Sequence, residues 1–154
     1  MTVRCARPDE WRALRDVRLR ALAESPAAFE RSLAEEEALP EEAWRGRAEP
    51  RDDRVVLVCD DLAGGLVGVD EGDAVRVAAM WVAPERRGEG LGRALLDEVL
   101  AWARARGAER VRLDVNPDQA PALRLYETAG FARTGGDRPI AATGCTCVEL
   151  ELAL

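Results

Sequence analysis

The stretch ERRGEGLGRALL places Gly88, Gly90 and Gly92 among Arg86, Arg87 and Arg93. Closely spaced glycines let a backbone curl. If a helix opens at Leu91, its first N–H groups point at one spot with the positive end of the helix dipole behind them, and such a turn binds phosphate or pyrophosphate. The arginines add positive charge where an anion would sit. Two nucleotide-binding patterns are excluded. A dinucleotide fingerprint needs a third glycine where Arg93 stands, and the phosphate loop of nucleoside triphosphatases needs a lysine. The chain has no lysine.

Nor has it a histidine, so all 22 basic residues are arginine. This removes Ser-His-Asp triads and Schiff-base lysines, and leaves proton acceptance to carboxylates or water. Cys5, Cys59, Cys145 and Cys147 form no CxxC pair and no histidine could complete a mixed zinc set. They read as reduced thiols, and no metal is expected.

The elements that must position the glycine turn are legible from periodicity. Apolar positions from Pro8 to Glu24 follow a helical stripe. Phe29 to Leu39 and Glu41 to Arg47 read as a second helical region broken at Pro40, with Glu35, Glu36 and Glu37 on a solvated face. RVVLVC, the run Leu62 to Val69, and AVRVAAMWVAP read as three strands joined by tight turns. Leu91 to Arg106 is a strongly amphipathic helix ended by Gly107, followed by the strand RVRLDV and a helix from Ala120 to Ala129. Phe131 to Thr134 and Cys145 to Leu152 read as the last strands. The step from Val82 through Leu113 is a parallel crossover. The expected fold is α/β: a mixed, mostly antiparallel sheet with one parallel central crossover and helices on both faces.

A length of 154 residues suits a single domain over 1–154, and 47% hydrophobic residues supply a continuous core. A net charge of −7 argues against affinity for nucleic acid or anionic membranes, so any anionic ligand must be held locally. The first residues, MTVRCARPDEW, contain no apolar signal core, and no apolar run approaches a membrane span. The expected location is the cytoplasm.

Two blocks, MWVAPERRGEGLGRALL and LDVNPDQAPALRLYETAGF, resemble the GNAT superfamily of acetyl-CoA-dependent N-acetyltransferases. Arg87, Gly90 and Gly92 match that family's [RQ]xxGx[GA] loop. The resemblance implies acetyl-CoA as cosubstrate, its pantetheine arm pairing with the main chain of Met80, Trp81 and Val82. Backbone groups of Gly88, Glu89, Gly90, Leu91, Gly92 and Arg93, with Arg87 at the family's Arg/Gln position, would bind the pyrophosphate. Side-chain loss at Arg87 should matter less than bulk added at Gly90. Tyr126, the only tyrosine, falls where the family places a proton donor to the departing thiolate. Gln119 takes the place of an asparagine often found near the pantetheine, with Asn116 three residues earlier. Asp114 falls where some members carry a basic glutamate, against a solvated or Arg112-paired alternative; Glu36, Glu37 and Asp73 are alternatives acting through water.

The implied reaction is direct acyl transfer to a primary amine, of a small molecule first and of a protein or peptide second. A non-catalytic acyl-CoA-binding module is the competitor from another class. The acceptor should be walled by the break from Ser25 to Phe29 and by the loop Gly135 to Gly144, and an acidic surface favours a cationic acceptor. The exposed final strand could pair with a second copy as a homodimer.

Overall fold

The computed structural model describes residues 2–140 and 144–154. Eight strands form a sheet: β1 (Val3–Cys5), β2 (Arg54–Cys59), β3 (Gly64–Asp70), β4 (Ala74–Val82), β5 (Arg110–Val115), β6 (Ala132–Arg133), β7 (Arg138–Ile140) and β8 (Cys145–Ala153). The helices are α1 (Trp11–Glu24), α2 (Leu33–Glu37), α3 (Glu41–Ala48), α4 (Leu91–Ala105) and α5 (Ala120–Thr128). Strand order is β1-β2-β3-β4-β5-β8-β6, with β7 paired to β8. Among the described residues only β4 and β5 run parallel, and the other pairs are antiparallel, as the sequence predicts.

Alternation along the strands puts helices on both faces. Val55 and Leu57 of β2 share a core with Leu95, Val99 and Ala103 of α4. Their neighbours Val56 and Val58 turn toward α1 and α3 across a cavity. Wide spacing of leucine and valine on α4 fits this role, since one full apolar stripe must cover a sheet.

Three expectations are corrected. Residues Pro8–Glu10 form a 3-10 turn and the α-helix starts at Trp11. The final strand is not exposed: β8 lies between β5 and β6, and its first residues pair with β7, so the edge on which self-pairing was expected is taken. The acidic run is a solvated face only at Glu35 and Glu37, and Glu36 departs from it. Glu36 has no exposed surface, because Arg47 donates to both its oxygens at 3.2 and 2.9 Å and Arg18 Nε to one at 3.0 Å. Burial alone would raise its pKa, but these bonds outweigh burial and lower it. Removing the carboxylate leaves half-buried arginines facing one another, so Glu36→Ala should cost about 3 kcal/mol in chemical denaturation.

Candidate active site

β4 is nine residues long but pairs with β5 only over Ala74–Arg76. Beyond Arg76 and its partner Arg112 the two strands separate. The middle of a central strand is consequently exposed at Ala78 and Ala79. On its other side β4 carries a bulge: the register with β3 shifts between Val67↔Ala78 and Gly65↔Trp81. Ala79 sits in the bulge at φ +55°, a left-handed conformation rare for alanine. An extra residue reverses the alternation. Val75 and Val77 pack on the α4 core before the bulge; Met80 and Val82 do so after it, and Trp81 turns to Ala21, Leu22 and Phe29 on the opposite face.

The split opens a cleft of about 390 Å³. Residues Val77 to Val82 form one wall and Leu113 to Asn116 the other, the glycine turn closes one end, and Gln119, Leu125 and Tyr126 form part of the floor. Two of the turn's glycines need their type: Gly88 and Gly90 have φ of +84° and +82°. The first bond of α4 runs from Ala94 N–H to the Gly90 carbonyl at 3.0 Å, so the N–H groups of Leu91, Gly92 and Arg93 precede the helical ladder. Leu91 is buried and offers only its main chain. Gly92 is a packing glycine, since a Cβ there would lie 3.1 Å from Leu125.

The arginines differ from the sequence-based expectation. Each is already paired. Arg86 bonds Asp61 and Glu89, Arg93 bonds Asp97 at 2.9 Å, and Arg87 bonds Glu24 at 2.9 and 3.2 Å and the Val82 carbonyl at 3.0 Å. Glu89 turns to Arg86 and is not among the cleft's lining residues. Arg87 therefore braces the turn against α1 and β4, and an anion here meets main-chain donors first. Glu24 also accepts from Trp81 Nε1 at 2.9 Å and from Ser25. Burial raises the Glu24 pKa, but the bonds from Arg87, Ser25 and Trp81 prevail and bring it down to about 2.

Tyr126 is buried, with its hydroxyl 3.2 Å from Met80 Sδ and its ring edge-on to Phe131 at 5.9 Å between centroids. Burial pushes its pKa up, so the group stays a neutral donor. The sulfur it meets there is a thioether, a weak acceptor that a thiolate would readily displace. On the facing strand, Asp114 accepts at Oδ2 from Arg76 Nη1 and Arg138 Nη2, each at 3.1 Å. The anticipated Arg112 partner is engaged elsewhere, at 2.7 Å from Glu151. Burial raises the pKa of Asp114, opposed by Arg76 and assisted by Glu149 and Glu71. Glu37 and Asp73 do not line the cleft, and Glu36 faces away from it into the arginine cluster.

Sequence reasoning missed three residues of this site. Glu24, Arg76 and Arg138 act from 63, 38 and 24 residues away from their partners, and no local pattern marks such pairs. Asn116 also differs: it is buried, donating to the Ala27 carbonyl at 3.2 Å and accepting from Asp118 N–H at 3.0 Å, and so pins the Pro26–Ala28 turn to the end of β5. Gln119 is at the cleft, preceding α5. Of the expected acceptor walls, Ser25, Ala28 and Phe29 line the cleft; the loop Gly135 to Gly144 includes residues 141–143, which lie outside the described residues.

Among the described residues no group of three or more Cys, Asp or Glu is arranged to hold a metal, no disulfide joins the cysteines, and no helix is long and apolar enough to cross a membrane.

Comparisons with known proteins agree with this architecture. The chain is 38% identical over 104 residues to a mycothiol acetyltransferase of Thermobispora bispora, covering 60% of this chain and 35% of that protein. It is 35% identical over 127 residues to a mycothiol acetyltransferase of Clavibacter michiganensis subsp. michiganensis, covering 80% of this chain and 39% of that one. It thus spans little more than a third of the length of these relatives. The Salmonella typhimurium protein yncA, solved with acetyl-CoA, superposes with a TM-score of 0.82 over 100% of this chain and 94% of that chain at 22% identity, which shows the fold. The model of the acetyltransferase (GNAT) family matches residues 15–131, a stretch that contains every residue lining the cleft, and the chain belongs to that family.

Proposed function

We propose that the protein transfers an acetyl group from acetyl-CoA directly to a primary amine of a small molecule. The observation that carries the reading is the split: an unpaired edge of β4 leads from the helix-start N–H groups at Leu91 to Arg93 to the hydroxyl of Tyr126. An extended pantetheine arm can pair with such an edge as a strand would, with the pyrophosphate at the start of α4. One Val82 carbonyl lone pair is already taken by Arg87, so the pairing falls mainly on Met80 and Trp81. The relatives named for mycothiol support a small-molecule acceptor over a protein.

Acetyl-CoA supplies an acetyl thioester, which needs no further activation by the protein than orientation and charge stabilisation. Asp114 accepts the proton that the substrate ammonium must lose before its nitrogen attacks. Backbone N–H near Val82 donates to the carbonyl oxygen as it gains charge. After the attack the nitrogen gives up a second proton as the C–S bond breaks; Tyr126 gives its proton to the leaving sulfur and is reprotonated through the cleft by that second proton, while Asp114 passes the first to solvent.

The test is release of free thiol from acetyl-CoA against a panel of amines. We expect thiol only when an acceptor is present, and a raised melting temperature with acetyl-CoA alone. Stabilisation without turnover on any amine or peptide would favour the acyl-CoA-binding module, and absence of both effects would overturn the assignment. Within this reading Gly90→Ala should raise the KM for acetyl-CoA about tenfold, measured by initial rates. Apart from its chain neighbours, no described protein atom lies within 4 Å of the added Cβ, so the cost comes from forcing alanine to φ +82° and from placing a methyl group where the ligand approaches.

A further inference from the structure

The groups that would hold acetyl-CoA and the group that would protonate its sulfur lie on different walls of the split. The helix-start N–H groups of Leu91 to Arg93 and the unpaired edge at Met80 and Trp81 belong to β4 and the turn that follows it. Tyr126 is on α5, which follows β5. Beyond the pair Arg76↔Arg112 no ladder joins these walls among the described residues. The Tyr126 hydroxyl reaches across to Met80 Sδ of β4 at 3.2 Å, so any change in the separation of the walls moves it against a ligand laid along β4.

Contacts on both faces of the sheet fix that separation. On the α4 face a single apolar core takes in Val75 and Val77 of β4 together with Val111 and Leu113 of β5. On the opposite face the segment from Glu24 to Glu30 straddles the split. Glu24 accepts from Arg87 and from Trp81 Nε1, and Phe29 shares an apolar cluster with Trp81, which fastens the segment to the β4 side. Toward the β5 side the Ala27 carbonyl accepts from Asn116 Nδ2 at 3.2 Å, and Glu30 pairs with Arg138. These last two ties differ in weight. Glu30 and Arg138 are each about half exposed, and such a pair is worth little. Asn116 is only 4% exposed, so its hydrogen bond is costly to lose.

We propose that Asn116 is a positioning residue for the transfer step: by tying Ala27 to the end of β5, it holds the wall that carries Tyr126 at a fixed distance from the wall that binds acetyl-CoA. The role in transfer rests on the acyl-transfer reading above; the tie does not. An amide suits the position because it donates at one atom and accepts at the other. Asn116 uses both, giving Nδ2–H to Ala27 and receiving the Asp118 N–H at Oδ1. A carboxylate of the same shape would lack the donor. Slack between the walls acts on rate before it acts on binding, since the cosubstrate keeps its contacts on β4 while its sulfur and the Tyr126 hydroxyl drift apart.

The experiment is Asn116→Ser, whose hydroxyl can still accept from the Asp118 N–H but is too short to reach Ala27. In the ligand-free protein the Ala28 amide, which donates to the Ser25 carbonyl at 3.0 Å, should exchange about tenfold faster, while the β2–β3 ladder exchanges as before. In thiol release with an accepted amine, kcat should fall about tenfold and the Kd for CoA should stay within about twofold. Introduced into Tyr126→Phe, the same replacement should lower kcat by less than about twofold, because the group it misplaces is already gone. If the serine variant does not fold, Asn116→Asp, which keeps the shape and loses the donor, carries the same measurements. An unchanged Ala28 rate overturns the tie. An unchanged kcat, or a Kd for CoA that rises as far as kcat falls, overturns the positioning role, the second result making Asn116 a direct ligand contact. Equal losses of kcat with and without the Tyr126 hydroxyl overturn it too, since general damage acts alike in both. Faster Ala28 exchange in a protein whose unaltered form acetylates no amine leaves the tie standing and overturns the acyl-transfer reading, and the role in transfer with it.

Discussion

Tyr126→Phe is expected to lower kcat for acetyl transfer about a hundredfold or more while changing the Kd for acetyl-CoA little. The substitution keeps the ring against Phe131 and removes only the oxygen that lies 3.2 Å from Met80 Sδ. Because burial pushes the Tyr126 pKa up, the hydroxyl is protonated across the whole working range. Its loss should therefore scale the pH–rate profile down without moving either limb. Steady-state thiol release, acetyl-CoA titration and an unchanged melting temperature together check the result. A kcat equal to that of the unaltered protein would remove Tyr126 as the proton donor.

Asp114→Asn should remove the acid limb of kcat/KM and reduce its plateau about a hundredfold. A base works only when ionised, so the rate should rise with pH as Asp114 loses its proton. Burial places that rise above the ordinary carboxylate range, Arg76 holding it down and Glu149 and Glu71 pushing it further up. Asparagine is nearly isosteric and can still accept from Arg76 and Arg138, which limits structural damage. The pH–rate profile is the measurement. A limb retained in the variant would assign the proton to another group.

The glycine turn, the single tyrosine and the order of most elements were legible in the sequence because each is a local pattern. Strand β5 was read with its observed bounds, since RVRLDV alternates between turn signals. Strand β1, three residues long, and β7, set in a loop of glycine and proline, carry too little pattern to be seen. Glu36 shows a different limit. Three adjacent glutamates look alike, and the one that turns inward is chosen by Arg18 and Arg47, which lie on other helices. Arg87 follows the same rule, since composition counts its charge as available whereas Glu24, distant in sequence, has already taken it. The bulge was invisible for a simpler reason: alanine at Ala79 gives no hint of a positive φ, which glycine would have given.

Among the described residues, three residue pairs, Ala74–Arg76 with Arg110–Arg112, join the two halves of the sheet. Each half keeps its own antiparallel ladder when that seam parts, β1 to β4 on one side and β5 with β8 and β6 on the other. Amide hydrogens along β4 beyond Arg76 thus lie at an internal edge, and those facing the split can exchange with solvent without unfolding either half. A ligand strand laid into the split would supply the missing partners and slow that exchange. In hydrogen-exchange terms, such a ligand would act as the strand that makes the two halves one continuous layer.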